Sequence, residues 1–242
     1  MTTQGMFDVR ANRLIARDVF EIVLEGNTAA IQAPGQFVSI RLDGLFLRRP
    51  ISVCDWDDSS LRLIYKVVGK GTACLSRLQR GEKADVLSGL GNGFSVEKAR
   101  GKRVALIGGG VGVPPLYGLM RMLKGEDVSC VLGFNEASDV FFEKEFVDLG
   151  AKVSVTTADG SQGIKGFVTN ALQKMDYDYY YACGPMPMLK AIHALGGEGQ
   201  LSLEARMGCG FGACVGCSMQ MKTGMKRVCS EGPVFTSEEV IL

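Results

Sequence analysis

The sequence predicts a multidomain β plus α/β chain with three parts: an antiparallel β-barrel, a doubly wound parallel sheet and a small C-terminal metal-binding module. Short strands bounded by turn residues occupy residues 5–98, as in small antiparallel barrels. From residue 101 onward strands alternate with helices, which predicts a parallel sheet covered on both faces. Four cysteines near the end of the chain indicate the third part. We expect domain bounds at 1–98, 99–200 and 201–242.

The composition excludes several functional classes. The 242 residues are 46% hydrophobic and carry a net charge of +1, so we expect well-filled cores and neither nucleic acid nor an anionic membrane as a partner. Residues 1–10 lack the apolar core of a signal peptide. Four scattered cysteines are typical of reduced core thiols, which favours a cytoplasmic protein. They are Cys54, Cys74, Cys130 and Cys183.

Alternating or β-branched segments at 19–24, 36–42 and 61–68 supply strands of the barrel. Two stretches of the barrel are candidates for holding a pyrophosphate. One contains Arg49 beside strand backbone. The other runs through a glycine turn into a predicted helix at 72–78. An arginine and a Gly-x-Gly-Thr turn suit phosphate oxygens, although each stretch alone also fits an ordinary strand and turn.

The second part begins with a buried strand at 103–107 and a glycine-rich turn at 108–115. This turn places backbone N–H groups at a helix N-terminus, ready for phosphate. A Cys-Gly-Pro sequence at 183–185 ends a later strand, where ligands bind in such sheets. The remaining predicted elements are helices at 116–123 and 167–175 and strands at 128–134, 152–157 and 177–183.

The third part carries the most specific motif. Its cysteines follow the pattern C-x4-C-x2-C, with a fourth cysteine after eleven further residues. This is the plant-type spacing for a [2Fe–2S] cluster, and the intervening glycines allow backbone to wrap closely around it. Zinc is an alternative, although zinc sites usually present two short cysteine pairs; disulfides would need an oxidising compartment. The predicted metal ligands are Cys209, Cys214, Cys217 and Cys229.

Four segments together carry a family resemblance that covers essentially the whole chain. They lie at 49–52, 108–115, 183–185 and 203–217. With these segments in this order, the chain resembles ferredoxin–NAD(P) reductase-type flavoproteins and, more narrowly, the electron-transfer subunits of type B dihydroorotate dehydrogenase. The cysteine segment is the most specific part of the resemblance.

The resemblance implies two nucleotide sites. Ile51 stands where the broader family usually has an aromatic residue, and Cys183 would be a positioning contact near the reacting carbon. FAD would be bound by Arg49, Pro50, Ile51 and Ser52, with Tyr65, Lys66, Gly71 and Thr72 near its pyrophosphate and ribityl chain. NAD would be bound by Gly108, Gly109, Gly110, Gly112, Cys183, Gly184 and Pro185.

The resemblance also implies a function. Electrons would pass from the FMN of a catalytic subunit that oxidises dihydroorotate, through the [2Fe–2S] cluster and FAD, to NAD+, in a heterotetramer of two subunits of each kind. NAD is favoured over NADP because the loop at 133–139 contains two acids and no basic residue. Two alternatives stay open: an electron-transfer subunit of another NAD(P)-linked oxidoreductase in sulfur or hydrogen metabolism, and a zinc-bearing binding module.

The cysteine loop is also the predicted contact with the partner. Met207, Phe211 and Val215 are apolar residues among small glycines, and such residues suit an interface core better than a free surface. The alternative is that Met207 and Phe211 turn inward and pack the loop.

Overall fold

Six antiparallel strands form a closed barrel in the first part of the chain, in a computed structural model that describes residues 2–242. Around the barrel the strands follow the order β1-β2-β5-β4-β3-β6, and a short helix, α1 (Lys70–Leu75), connects β5 to β6. Alternate side chains fill the interior, as the period of a strand requires; Ile22, Leu24 and Leu63 are fully buried there. The strands are β1 (Thr3–Ala16), β2 (Val19–Glu25), β3 (Phe37–Arg41), β4 (Arg49–Trp56), β5 (Ser60–Lys66) and β6 (Lys83–Leu90).

A seven-stranded sheet forms the second part, in the order β10-β9-β8-β7-β11-β12-β15. All neighbouring pairs are parallel except β12 with β15. The strands are β7 (Arg103–Gly109), β8 (Asp127–Phe134), β9 (Lys152–Thr157), β10 (Ile164–Lys165), β11 (Tyr179–Cys183), β12 (Gly199–Ser202) and β15 (Val234–Thr236). The helices are α2 (Pro114–Met122), α3 (Glu143–Asp148), α4 (Val168–Leu172) and α5 (Met186–Ala194).

The two faces of this sheet bury different layers. Val104 and Leu106 of β7 point into a core shared with α2, α3 and the barrel. Ala105 and Ile107 point the other way, into a core shared with α4, α5 and the cysteine module. Successive residues of one strand therefore serve opposite layers, which makes the sheet doubly wound. The barrel contributes to both layers, since its Phe37 and Leu90 belong to the core of the cysteine module.

Helix α2 is the main contact between the barrel and the sheet. A Cβ atom on Gly118 would lie 2.8 Å from the carbonyl oxygen of Cys54 in β4, so the helix approaches barrel backbone directly. Arg62 of β5 lies over two rings of the second part, 5.5 Å from the centroid of Tyr117 and 4.7 Å from that of Phe142. Cation–π contacts of this kind are worth about 0.5–2 kcal/mol each, so they help to fix the two parts against each other.

The C-terminal module is a hairpin, β13 (Ser218–Met221) and β14 (Gly224–Arg227), followed by β15. Strand β15 returns to the main sheet and pairs antiparallel with β12. The sheet therefore contains a strand from the range expected to form a separate module, and the domain bounds themselves stay a prediction.

The predicted fold class is confirmed, while several element ends differ. The helix expected at 116–123 begins earlier, at Pro114, because proline suits the first helical turn. The helix expected at 167–175 spans only Val168–Leu172, and the one expected at 72–78 spans Lys70–Leu75. Among the helices described, none is long and apolar enough to cross a membrane.

Candidate functional site

The two predicted NAD segments meet where the order of the strands in the sheet reverses. Strands β7 and β11 are neighbours, and the strands that follow them lie on opposite sides, so the gap between their carboxyl ends is a topological switch point. Gly108 pairs with Cys183 across this gap. A Cβ atom on Gly112 would lie only 2.2 Å from the carbonyl oxygen of Cys183. The glycine turn and the Cys-Gly-Pro segment therefore form one site.

A cavity of about 430 Å³ opens beside this switch point and continues along the carboxyl ends of β8 and β9. Gly110, Asp139 and Lys66 are among its lining residues. Thr156 also lines it, with a buried hydroxyl that lacks a hydrogen-bond partner within residues 2–242. Buried hydroxyls are almost always hydrogen-bonded to protein or ordered water in native structures, so the hydroxyl of Thr156 is open to a hydrogen bond from a water molecule or a ligand in this cavity.

Cys183 is suited to positioning and unsuited to proton transfer. Burial raises the pKa of its thiol to about 12, against a smaller lowering by the hydrogen bond with Ser202. A thiol with so high a pKa stays protonated and neutral at physiological pH.

The two predicted FAD stretches also meet. The side chain of Arg49 lies directly over Gly71, where an added Cβ atom would overlap the arginine Nε. Pro50 is exposed, and Ile51 and Ser52 are half-buried, although all three lie in a strand of the barrel. This leaves one face of β4 accessible beside a guanidinium group, which suits a flavin and its phosphates.

The other predicted FAD residues stay a prediction, and the structure shows what three of them contact. Tyr65 is buried in the barrel with its hydroxyl 2.9 Å from Asn12 Oδ1, so only its backbone is available to a ligand. The hydroxyl of Thr72 accepts hydrogen bonds from the backbone N–H groups of Val68 and Gly69. Lys66 lines the cavity beside Gly110. The structure thus brings Arg49 and Gly71 together and sets Lys66 at the nucleotide cavity.

The four predicted metal ligands lie in the C-terminal module as two pairs. Cys209 and Cys214 each donate a backbone N–H to the sulfur of the other, at 3.4 Å. Cys217 and Cys229 flank the hairpin, and the backbone N–H of Cys229 lies 3.4 Å from the sulfur of Cys217. Pairing of Ser218 with Arg227 explains this, because antiparallel register brings the two ends of a hairpin together.

Backbone N–H groups surround these sulfurs. Burial opposes ionisation of Cys209, but hydrogen bonds from the backbone of Cys214, Phe211 and Ala213 outweigh it and lower its pKa to about 6. Burial and the neighbouring Cys217 raise the pKa of Cys229, and Gly212, with a φ of 91°, opposes this by donating its N–H to the Cys229 sulfur at 3.1 Å. Such donors stabilise thiolates, the form that binds metal.

The four cysteines lie as two pairs, which suits the two irons of a [2Fe–2S] cluster. A tetrahedral zinc site would draw all four thiolates around one point, whereas two irons each take two terminal thiolates. The outer pair contains the exposed Cys214, and the inner pair, Cys217 and Cys229, is buried.

The cysteine loop packs against the barrel strand next to the proposed flavin strand. A Cβ atom on Gly210 would lie within 4 Å of side-chain atoms of Phe37, Ser39 and Leu90. Ser39 of β3 pairs directly with Pro50 of β4. Since neighbouring strands lie about 4.8 Å apart, the loop sits one strand away from the segment that is expected to hold the flavin.

Comparison with known proteins identifies the family. A model described as the iron–sulfur cluster binding domain of dihydroorotate dehydrogenase B matches residues 204–241, and an oxidoreductase NAD-binding domain model matches residues 106–194. A protein of Shouchella clausii named "Dihydroorotate dehydrogenase B (NAD(+)), electron transfer subunit" is 45% identical over 99% of this chain and 98% of its own length. A Fusobacterium nucleatum protein of the same name is 42% identical over 96% of both chains.

The chain belongs to the dihydroorotate dehydrogenase B electron transfer subunit family. The predicted family is thereby confirmed, and the iron–sulfur and NAD-binding domain types with it.

Solved structures agree at the level of fold. A structure of an NADH-dependent reduced ferredoxin–NADP oxidoreductase, described in connection with flavin-based electron bifurcation, matches with a TM-score of 0.86 and 32% identity, covering 98% of this chain and 90% of that chain. The FAD/NAD-binding domain of a Vibrio cholerae nitric oxide dioxygenase gives a TM-score of 0.69 at 23% identity, over 79% and 93% of the two chains. The predicted cofactor set of FAD, NAD and an iron–sulfur cluster is consistent with this family and fold.

Two groups at the nucleotide cavity were missed by sequence reasoning. The loop at 133–139 does contact a basic residue: Arg17, from the barrel, binds both of its acids. This residue lies more than a hundred positions away in sequence, so no local pattern signals it. Thr156 lies in an ordinary buried strand, and only its unpartnered hydroxyl in the folded chain distinguishes it.

Proposed function

We propose that this chain passes electrons from a dihydroorotate-oxidising, FMN-containing catalytic subunit to NAD+, as the electron transfer subunit of a type B dihydroorotate dehydrogenase. A flavin can exchange electrons singly with an iron–sulfur cluster and in pairs with a nicotinamide, so the two groups together join one-electron and two-electron chemistry. The observation that carries the proposal is the packing of the cysteine loop on β3, beside β4.

The residues of this chain would bind, orient and shield the cofactors. Arg49 and the exposed face of β4 would hold FAD, and the four cysteines would hold the cluster. The turn at Gly112 and the neutral thiol of Cys183 would set the nicotinamide ring against the flavin, across the switch point. No general acid or base is assigned, because a hydride passing between nicotinamide and flavin needs orientation rather than proton transfer from the protein.

The test is a reconstitution with the catalytic subunit from the same organism. We expect the purified complex to produce NADH from dihydroorotate and NAD+, and each subunit alone to fail to do so. A complex that forms but needs a sulfur compound or hydrogen as its electron donor would favour the alternative oxidoreductase. Absence of a complex with any dihydroorotate-oxidising flavoprotein would refute the proposal.

We propose that the partner docks on the exposed edge of the cysteine loop, in a heterotetramer with two copies of each subunit. Phe211 is 56% exposed and Val215 is 60% exposed, and both lie beside the outer cysteine pair. Met207, in contrast, is half-buried and packs against the core. Interfaces are enriched in large apolar residues at their centre, so two of the three predicted residues suit docking and Met207 supports the loop from inside.

Phe211→Asp should weaken the complex without removing the cluster, because it places a charge in the interface and leaves all four ligands intact. Truncating a central aromatic costs about 2 kcal/mol or more in many interfaces, so we expect a dissociation constant at least about tenfold higher. Analytical ultracentrifugation with the catalytic subunit measures this.

The matched control is Val147→Asp on α3, a residue of similar exposure (52%) in the second part of the chain. It should leave the complex unchanged. If both variants bind the partner as tightly as the unmodified chain, and the Phe211→Asp variant keeps its cluster spectrum, the docking surface lies elsewhere.

A further inference from the structure

An ion triad joins the barrel to the loop that borders the nucleotide cavity. Arg17, in the turn between β1 and β2, donates to the carboxylate of Asp139 through Nε at 3.1 Å and Nη2 at 2.9 Å. Its Nη1 donates to Glu136 Oε1 at 2.6 Å. Asp139 is only 6% exposed and lines the cavity. The guanidinium is therefore held by two carboxylates at the edge of the site.

We propose that this triad is the element that selects NAD(H) against NADP(H). In this arrangement the carboxylates of Glu136 and Asp139 face the adenosine ribose and accept a hydrogen bond from its 2′-hydroxyl. They also keep Arg17 from binding a 2′-phosphate. The inference rests on the proposed function, since it deepens the assignment of the nicotinamide nucleotide.

The position of the triad follows from the topology. In a doubly wound nucleotide fold the pyrophosphate lies at the glycine turn after the first strand, and an acid about twenty residues further on meets the ribose. Here the turn ends at Gly112, and Glu136 and Asp139 follow the second strand of the sheet domain, β8. The cavity connects Gly110 to Asp139, and the unpartnered hydroxyl of Thr156 lies in the same cavity.

The charges decide between the two nucleotides. The triad carries two negative charges and one positive charge, and a 2′-phosphate would add about −1.5 to −2 more. Glu136 also accepts a hydrogen bond from the Ser138 hydroxyl at 2.6 Å, which holds it in place. Three other charged groups lie near this edge: Lys66, which lines the same cavity, Asp159, which follows β9, and Lys165, whose stem packs on Gly160. Without its two carboxylates, Arg17 would present the fork geometry that binds phosphate well.

The experiment compares two fragments that lack nicotinamide, so it does not depend on electron transfer. Binding of 5′-AMP and of adenosine 2′,5′-bisphosphate to the complete flavin- and cluster-containing protein is measured by calorimetry. The unmodified protein should prefer 5′-AMP. In Glu136→Gln/Asp139→Asn the ratio of the two affinities should shift towards the bisphosphate by about tenfold or more, the usual effect of a charge-assisted hydrogen bond. Adding Arg17→Ala to this double variant should remove the gain.

Two further variants supply a partial change and a control. Glu136→Gln alone changes a half-exposed side chain and should shift the ratio in the same direction by a smaller factor. Glu97→Gln removes a carboxylate that pairs with Arg100 on the surface outside the cavity lining, and should leave the ratio unchanged.

Three results would overturn the proposal. The first is equal affinity of the unmodified protein for both fragments. The second is a double variant with an unchanged ratio and an intact melting curve. The third is a gain that survives Arg17→Ala, since this would assign phosphate binding to another cation such as Lys66 or Lys165. Failure of the dihydroorotate assay with the expected fragment ratios would refute only the proposed function.

Discussion

Replacing Cys214 with serine should remove the cluster and stop electron transfer to and from the partner. Serine is a poor substitute for thiolate, and Cys214 belongs to the outer ligand pair, where it contacts Cys209. Replacing a residue that only hydrogen-bonds to a metal ligand costs about 10–100-fold in metal affinity or activity. Loss of a ligand itself should therefore reduce dihydroorotate-dependent NADH formation more than about 100-fold. FAD should remain, since its expected residues lie in the barrel, and NADH oxidation with an artificial acceptor should persist.

Cys74→Ser is the matched control. Cys74 is exposed on α1 and stands outside the cysteine module. This variant should keep full iron and sulfide content, full colour and full transfer to the partner. If Cys214→Ser still contains two irons and two sulfides per chain, the ligand assignment is wrong; if both serine variants lose activity equally, the loss is unrelated to ligation.

Replacing Gly112 with alanine should open the switch point and disable hydride transfer. The added Cβ atom would meet the carbonyl oxygen of Cys183 at 2.2 Å and its carbonyl carbon at 2.5 Å, so the turn must move away from β11. Overpacking of this kind costs about 1–3 kcal/mol of stability. A displacement near 1 Å can cost about 100-fold in rate, so flavin reduction by NADH, followed by stopped flow, should fall by about that factor.

Gly5→Ala separates this collision from a general effect of adding a methyl group. Gly5 lies in β1 outside the left-handed backbone region, and its added Cβ atom would lie 3.8 Å from a ring carbon of Phe7, an ordinary van der Waals distance. Its melting temperature and its rate of flavin reduction should match the unmodified protein. A Gly112→Ala variant that is folded and reduced by NADH at the normal rate would show that the nicotinamide does not depend on this turn.

Local sequence patterns predicted the architecture well because the relevant forces are local. The alternation of Val104, Ala105, Leu106 and Ile107 specifies a strand buried on both faces, and each pair does enter a different core. The cysteine spacing likewise predicts the ligand set without knowledge of the hairpin. The positions of Tyr65 and Thr72 were less predictable, because the pattern indicates that they lie near a turn but not which way their side chains point.

Contacts between distant parts of the chain were beyond sequence reasoning. Arg17 reaches Glu136 and Asp139 only because α2 packs against β4 and sets the barrel beside the loop after β8. The two-by-two arrangement of the cysteines depends on the register of β13 with β14. Helix ends also differ, since capping and packing decide where a marginal last turn persists.

The antiparallel pairing of β15 with β12 has a consequence for solubility. The segment that carries the four cysteines leaves the sheet after β12 and ends by covering that strand's open edge. Uncovered edges expose unpaired backbone groups and invite aggregation, whereas very short edge strands such as Val234–Thr236 discourage it. The metal-binding segment thus also covers the edge of the nucleotide sheet. Loss of the C-terminal residues would expose the aggregation-prone edge of β12 as well as remove a redox centre.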